Sequence, residues 1–187
     1  MNQSLTSAFL NILPNLAKNS SPDILAAFKN KINSGHFTRA QDPVSHINTM
    51  AAFYDPKLAE IFWGFHLKAQ CYCFNGGHTD ETDSSPAAVI QREISEELGL
   101  DYALANIHAP ELITCMDIYN PQFPCREHFD VFFFFPVNKN HFHFDAQKMA
   151  TEYSHWGWYP LAQAKKMNSS TNNFQALELI EKKLISR

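Results

Sequence analysis

The stretch GGHTDETDSSPAAVIQREISEELGL (residues 76–100) carries the strongest fold signal in the chain. Ser85 is a preferred helix N-cap, Pro86 suits the first helical position and Gly99 suits the exit. The stretch therefore predicts a helix over residues 86–98. Its apolar residues recur at helical spacing on one face, which we expect to pack on the core: Ala87, Ile90, Ile94 and Leu98.

Three carboxylates crowd the last two turns of this predicted helix, at Glu93, Glu96 and Glu97. Negative charge there opposes the helix dipole by about 0.3–1 kcal/mol, and Glu93 and Glu97 repel each other at i,i+4 spacing. Arg92 can offset only one of them, Glu96, at the same spacing. The pattern has two interpretations, a solvated acidic face or a divalent cation site. The polar, glycine-containing and acidic loop before the helix favours a site for a metal-bound phosphate ester.

The overall composition argues against several classes of protein function. The chain has 187 residues, 45% hydrophobic and 18% charged, which is typical of one globular domain. Its net charge of -4 argues against broad nucleic-acid binding, and its apolar runs are too short for a membrane span. The four cysteines form no CxxC pair and the nine histidines show no zinc-ligand spacing. We therefore expect a cytoplasmic protein with reduced thiols, no structural zinc, and no nucleic-acid or membrane partner.

The predicted secondary structure changes near residue 45. Residues 1–45 read as an N-terminal helical extension, with Ser21 as an N-cap and Gly35 as a stop. Short aromatic-rich strands, the predicted helix and a C-terminal helical pattern follow in residues 46–187. HFDVFFFFPV (residues 128–137) is apolar on both faces and predicts a central, covered strand. This order predicts one mixed α/β domain with helices packed on a sheet.

One pattern within these residues resembles a known family. The Nudix box reads Gly, five residues, Glu, seven residues, Arg-Glu-apolar-x-Glu-Glu-x-Gly-apolar, and REISEELGL (residues 92–100) matches its second half at every defined position. GGH matches the usual opening, and GGHTD resembles a bacterial GGHxD-type subgroup. The chain thus resembles the Nudix hydrolases, with a MutT-like domain. The resemblance implies a Nudix α/β/α sandwich with a mixed β-sheet, preceded by the N-terminal helical extension.

The first half of the box departs from the family pattern. Counted back from Arg92, the family's Glu would fall on Ser84 and its Gly on His78. If Gly77 is the box glycine, the loop has one extra residue and Asp83 takes the place of the Glu. We prefer this second alignment because an insertion in a polar loop costs little.

The resemblance implies hydrolysis of the diphosphate bond in a nucleoside diphosphate linked to another moiety, with Mg²⁺ or Mn²⁺. By position, Glu93 and Glu97 would be metal ligands, and Glu96 a ligand or the base that activates water. Arg92 would hold Glu96 in place, and the backbone at Gly77 could add a carbonyl ligand. The expected partner is a small-molecule nucleotide or diphosphate substrate.

Five further residues are candidates around this site. Glu152 precedes the Trp-rich strand HWGWYP, where some family members place an additional ligand or base. His78 and Asp80, in the predicted active loop, could contact phosphate or metal, or only shape the loop. Asp130 lies within an apolar strand, needs a partner, and could face the cleft. Tyr119 could stack on a base.

Two other functions remain open from the sequence. A non-catalytic nucleotide-sensing or regulatory domain could use the same fold, although a sensor would be expected to lack one of the three glutamates. An isomerase resembling the isopentenyl diphosphate isomerases would use Cys71 or Cys73, but CYCFNGGH does not reproduce their motif. The N-terminal helices could pack on the domain, cover the cleft or support a homodimer.

Overall fold

Helices pack on both faces of one seven-stranded mixed sheet in the computed structural model, which describes residues 3–118 and 124–186. The helices are α1 (Gln3–Asn11), α2 (Leu13–Leu16), α3 (Pro22–Asn33), α4 (Pro86–Leu98), α5 (Ala146–Glu152), α6 (Leu161–Met167) and α7 (Thr171–Ile185). The strands are β1 (Ser45–Asp55), β2 (Glu60–His66), β3 (Cys71–Cys73), β4 (Asn75–His78), β5 (Leu112–Asp117), β6 (Glu127–Pro136) and β7 (Tyr153–Pro160). Two short 3-10 helices cover Leu104–Asn106 and Lys139–His141. The predicted α/β/α sandwich with a mixed sheet is confirmed.

The parallel pair β1 and β6 forms the middle of the sheet. Strand β5 is antiparallel to β6 on its outer edge. The opposite edge of β1 pairs with β4 near its beginning and with β2 at its end, both antiparallel. Strand β2 then carries β3 and β7. This arrangement brings β1, β4 and β6 side by side at the end of the sheet where β1 begins.

Alternate residues of β6 face two separate apolar layers. Phe129, Val131, Phe133 and Phe135 pack with the apolar side chains of α4 and α1–α3, on what we call the α4 face. Phe132 and Phe134 pack with α6 and α7, on the α7 face. Because side chains alternate along a strand, every residue of β6 is assigned to one of these faces. The prediction of a central strand covered on both faces is confirmed.

The N-terminal helices share the core of the α4 face. Phe9 and Phe28 are fully buried, and their ring centroids lie 6.2 Å apart in an edge-on arrangement. Phe28 in turn contacts Phe129 of β6, at 6.1 Å between centroids. Burial of one such side chain stabilises a fold by roughly 1.5–3 kcal/mol. Of the positions predicted for these helices, packing on the domain is therefore the one observed, while the boundary at residue 45 stays a prediction.

The predicted helix over residues 86–98 coincides with α4. Ser85 Oγ accepts a hydrogen bond from the Ala88 backbone N–H at 3.1 Å, and Gly99 ends the helix in the left-handed conformation, at φ 66°. The sequence analysis placed the two glycines before this helix in a loop, whereas they belong to strand β4. Helices α5 and α6 were not predicted. Among the described helices, none is both long and apolar enough to cross a membrane.

Candidate active site

Two adjacent glycines bring β4 against both α4 and β1. Gly76 has φ 145°, and a Cβ there would overlap the carbonyl oxygen of Thr49 on β1. A Cβ on Gly77 would come within 2.6 Å of the Glu93 carboxylate, which is too close for an ordinary contact. Glycine at both positions therefore lets a strand backbone run directly past a carboxylate of α4.

Glu97 is buried against the same strand, with 7% of its surface exposed. Its Oε2 accepts hydrogen bonds from Asn75 Nδ2 and the Gly76 backbone N–H, each at 3.1 Å, and from Tyr153 Oη at 3.3 Å. Burial raises the pKa of Glu97 to about 8, despite the opposing hydrogen bond from Asn75. Among the described residues, no Lys, Arg or His forms an ion pair with this carboxylate.

Arg92 joins the carboxylates at the other side of α4. Its Nη1 donates to Glu93 at 2.7 Å and to Glu96 at 3.3 Å. Its Nε and Nη2 reach the two carboxylate oxygens of Asp83 at 3.2 and 3.1 Å, and Nη2 also donates to the His78 carbonyl at 2.9 Å. Arg92 therefore ties the loop before α4 to the carboxylates on the helix.

Glu93 and Glu96 differ in burial although both contact Arg92. Glu93 is 9% exposed, and burial raises its pKa even though the Arg92 guanidinium opposes the rise. The Glu96 side chain is 60% exposed. Arg92 thus holds one carboxylate inside the protein and one at its surface. The contact with Glu96 was expected from the sequence, and the contact with Glu93 was not.

Asp83 joins the two ends of the loop between β4 and α4 through hydrogen bonds. Asp83 is 6% exposed, and its Oδ2 accepts from the Asp80 backbone N–H at 2.8 Å. Asp80 Oδ1 accepts from the backbone and hydroxyl of Thr82, each at 2.9 Å, and the backbone hydrogen bond lowers the pKa of Asp80. Asp83 therefore bonds to Arg92 and shapes the loop, which agrees with the alignment that starts the box at Gly77.

A cleft of about 400 Å³ opens beside these groups. Its lining residues come from the α3–β1 connection, β4, the following loop and α4: Arg39, Ala40, His78, Thr79, Asp80, Arg92 and Glu93. Arg39 is exposed, and no ion pair of Arg39 occurs within residues 3–118 and 124–186. Two arginines and two acidic residues, Asp80 and Glu93, thus share one concave surface of a size that fits a small ligand.

Three of the site residues predicted from the sequence do not line this cleft or lie outside the described residues. Asp130 lies on the α7 face, where Asn48 donates to its Oδ1 at 3.1 Å and Asn172 to its Oδ2. Burial raises the pKa of Asp130 to about 6. Glu152 pairs with Lys68 at 2.9 Å and lies 3.7 Å from His66, at the end of α5. Tyr119 falls outside the described residues.

A histidine cluster that the sequence analysis did not anticipate lies on the α7 face. The imidazoles of His46, His78 and His128 come together with ring centroids 4.7 to 5.6 Å apart. Burial lowers the pKa of His46 and His128 to about 4 and that of His78 to about 3. The expectation that the histidines do not cluster considered only local spacing, whereas strand pairing joins these three. Arg39 was also missed, because nothing in the sequence distinguishes it from other arginines.

Comparison with known proteins places the fold. Residues 50–180 match the family described as NUDIX domain, and no curated protein matches the sequence significantly. The E. coli dihydroneopterin triphosphate pyrophosphohydrolase is similar over 81% of this chain and 99% of its own, with TM-score 0.59 and 15% identity.

Two larger proteins are similar over part of their length. The Francisella tularensis bifunctional NMN adenylyltransferase/ADP ribose pyrophosphatase, complexed with AMP and a Mn ion, has TM-score 0.52 and 14% identity over 74% of this chain and 41% of its own. Shewanella oneidensis NrtR, complexed with a 27mer DNA, has TM-score 0.51 and 15% identity over 75% of this chain and 62% of its own. At these identities the similarity concerns the fold alone. The family match spans more than half of the chain, and this protein therefore belongs to the Nudix family.

Proposed function

We propose that this protein is a metal-dependent pyrophosphohydrolase, which cleaves the diphosphate bond in a nucleoside diphosphate linked to another moiety. One observation supports this most strongly. Glu97 is a buried carboxylate that accepts three hydrogen bonds, yet among the described residues it has no cationic partner. An isolated buried charge is costly, so the site is suited to a bound cation that supplies the missing positive charge.

The donor set fits a hard divalent ion. Glu93 and Glu97 present carboxylate oxygens from successive turns of α4, and the backbone of Gly77 runs beside Glu93. Mg²⁺ and Mn²⁺ prefer oxygen ligands of this type. We assign Glu93 and Glu97 as ligands, with the Gly77 carbonyl as a further one. When bound, such an ion neutralises charge on the diphosphate and lowers the pKa of water.

The residues around the ion have separate roles in this proposal. Arg92 fixes the orientation of Glu93 and holds the exposed Glu96, to which we assign the proton of the attacking water. Arg39 lies across the cleft and is placed to bind phosphate oxygens. Asp80 and the strand segment at His78 line the same cleft and limit the space beside the phosphates, while the His78 imidazole lies against His46 and His128.

The substrate partner in this proposal is a small nucleotide, and the working compartment is the cytoplasm. All four cysteines are free, which suits a reducing environment. The sensor alternative keeps the fold and nucleotide binding but has no turnover. Glu93, Glu96 and Glu97 are all present, which supports the enzyme.

A hydrolysis screen tests the proposal. Purified protein would be incubated with nucleotide sugars, dinucleotides, dinucleoside polyphosphates and nucleoside triphosphates, with Mg²⁺, with Mn²⁺ and with a chelator. We expect at least one diphosphate compound to be cleaved, with all turnover lost in the chelator. Nucleotide binding by calorimetry without cleavage of any compound would contradict the enzyme and support the sensor.

A further inference from the structure

We propose that His46, His78 and His128 form a second metal site, which binds a transition ion of the zinc class through imidazole nitrogens. The three strands in the middle of the sheet supply one ligand each. His46 on β1 is the direct neighbour of His128 on β6, and His78 on β4 pairs across from Asn48, two residues after His46. Side chains two residues apart on a strand share a face, so all three imidazoles project to the α7 face. One coordinating atom from each residue lies within 4.8 Å of the others.

The hydrogen bonds of the histidine cluster leave ring nitrogens free to coordinate an ion. The Nδ1 of His46 lies 3.0 Å from the Asp42 carbonyl oxygen, so Nδ1 carries the proton and Nε2 the lone pair. An outer hydrogen bond to a carbonyl is what orients most metal-binding histidines. The Nε2 of His128 is buried and has no hydrogen-bond partner. A buried polar atom without a partner is costly, and coordination of an ion would satisfy it.

The charges around the cluster favour a nitrogen site over a carboxylate site. Asp130 is on the same face, but its two oxygens already accept from Asn48 and Asn172. Burial is the main cause that lowers the pKa of the three rings, and the nearby Arg39 guanidinium adds to the effect, so the rings stay neutral at pH 7. Neutral imidazoles suit Zn²⁺, Cu²⁺, Ni²⁺ and Co²⁺ rather than Mg²⁺ or Mn²⁺.

A fourth donor is within reach. Cys125 is buried, and its Sγ lies 3.8 Å from Nε2 of His46. Two ligands of one tetrahedral zinc ion are about 3.4–3.6 Å apart, given bond lengths near 2.1 Å to nitrogen and 2.3 Å to sulfur. The imidazole nitrogens, now within 4.8 Å of one another, would close in by up to about 1.4 Å to reach that geometry.

This site differs from the proposed catalytic site in donors and in the face of the sheet. Its test therefore uses metal content and spectroscopy rather than turnover. Tag-free protein would be stripped with a chelator and titrated with Zn²⁺ and with Co²⁺. We expect one equivalent of Zn²⁺ to bind tightly and bound Co²⁺ to give the visible absorption of a tetrahedral complex. A sulfur-to-cobalt band that Cys125→Ser removes would add Cys125 to the ligand set.

Variants separate this site from chance binding. His128→Gln and His46→Gln should each weaken Zn²⁺ binding by more than about 100-fold, since even loss of an outer partner costs 10–100-fold. His143→Gln is the matched control, because His143 is an exposed histidine away from the cluster, and it should bind as the wild type does. Circular dichroism would verify the fold of each variant. Zn²⁺ binding of equal affinity in folded His128→Gln, or none in the wild type, would overturn the proposal.

Discussion

The two faces of the sheet carry donor sets of opposite character. On the α4 face, three carboxylates contact Arg92, and a fourth, Glu97, is buried without a cationic partner among the described residues. On the α7 face, three neutral imidazoles meet without a carboxylate ligand. Gly77 and His78 are consecutive, yet Gly77 faces Glu93 and His78 faces His46 and His128. Strand alternation alone thus separates the proposed site for a hard cation from the proposed site for a borderline one.

The largest expected effect is the loss of turnover when a carboxylate on the α4 face is changed. Glu97→Gln should lower Mg²⁺-dependent turnover by at least about 1,000-fold, or about 4 kcal/mol, because it removes a proposed ligand's charge. The amide keeps an oxygen for the hydrogen bonds from Asn75 and Gly76. Steady-state kinetics on the best substrate of the screen measures the loss. Glu178→Gln, at an exposed position on α7, is the control and should retain full activity.

Zn²⁺ uptake by the same variant sharpens the comparison. If the two faces are independent, Glu97→Gln should bind Zn²⁺ as the wild type does. A parallel loss of Zn²⁺ affinity would mean that the two donor sets serve a single site.

Loss of Arg92 tests what holds the carboxylates together. Arg92→Gln should lower the free energy of unfolding by about 2–3 kcal/mol, because the buried Asp83 and Glu93 lose their cation. This figure is below that for a fully buried pair because Arg92 remains 31% exposed. Urea denaturation measures the change. Lys165→Gln, which breaks the more exposed pair with Glu181, should cost less than about 1 kcal/mol.

The lowered pKa values of the three clustered histidines predict a specific pH dependence of the free energy of unfolding. The folded-state pKa is about 4 for His46 and His128 and about 3 for His78, below the unfolded value of 6.5. Native protein therefore binds fewer protons than unfolded protein in this range. Stability should be complete above pH 6.5 and fall by up to about 1.4 kcal/mol per pH unit per histidine as the pH drops toward 4.

Urea melts of chelator-treated protein between pH 4 and pH 7.5 would measure this slope. His128→Gln should flatten it, whereas His143→Gln should leave it unchanged. An identical slope in His128→Gln would show that the cluster does not titrate as its burial requires.

The smallest expected effect concerns the glycine beside Glu93. Gly77→Ala would place a methyl group 2.6 Å from the carboxylate and displace it, which should lower kcat/KM by about tenfold. Gly157→Ala is the matched control, because a Cβ at Gly157 would lie at an ordinary contact distance of 3.9 Å from Tyr159. Equal activity of both variants would argue against a catalytic role for the Glu93 carboxylate that β4 contacts.

The sequence predicted α4 well because its caps, apolar face and charges are local. Ser85, Gly99 and the box REISEELGL act within a few residues of one another, and local rules suffice for them. Arg92 was expected to hold Glu96, but its contacts with Asp83 and the His78 carbonyl depend on how the loop closes. Side-chain pairing over such a loop is not encoded in periodicity.

The histidine cluster was missed for a different physical reason. His46, His78 and His128 are distant in the sequence and meet only through the register of β1 with β4 and β6. The sequence did not determine which face Asp130 lies on, because its position on the α7 face follows from which apolar layer each alternating set of β6 side chains contacts. Tertiary pairing, which local spacing does not contain, decides both.

Anomalous scattering from crystals grown with Mn²⁺, Zn²⁺ and a non-hydrolysable nucleoside diphosphate analogue tests the two-site account most directly. Maps at the two absorption edges locate each ion separately. We expect Mn²⁺ at Glu93 and Glu97, with the diphosphate in the cleft beside Arg39 and Arg92, and Zn²⁺ among His46, His78 and His128. Mn²⁺ among the histidines, or both ions at one position, would contradict it.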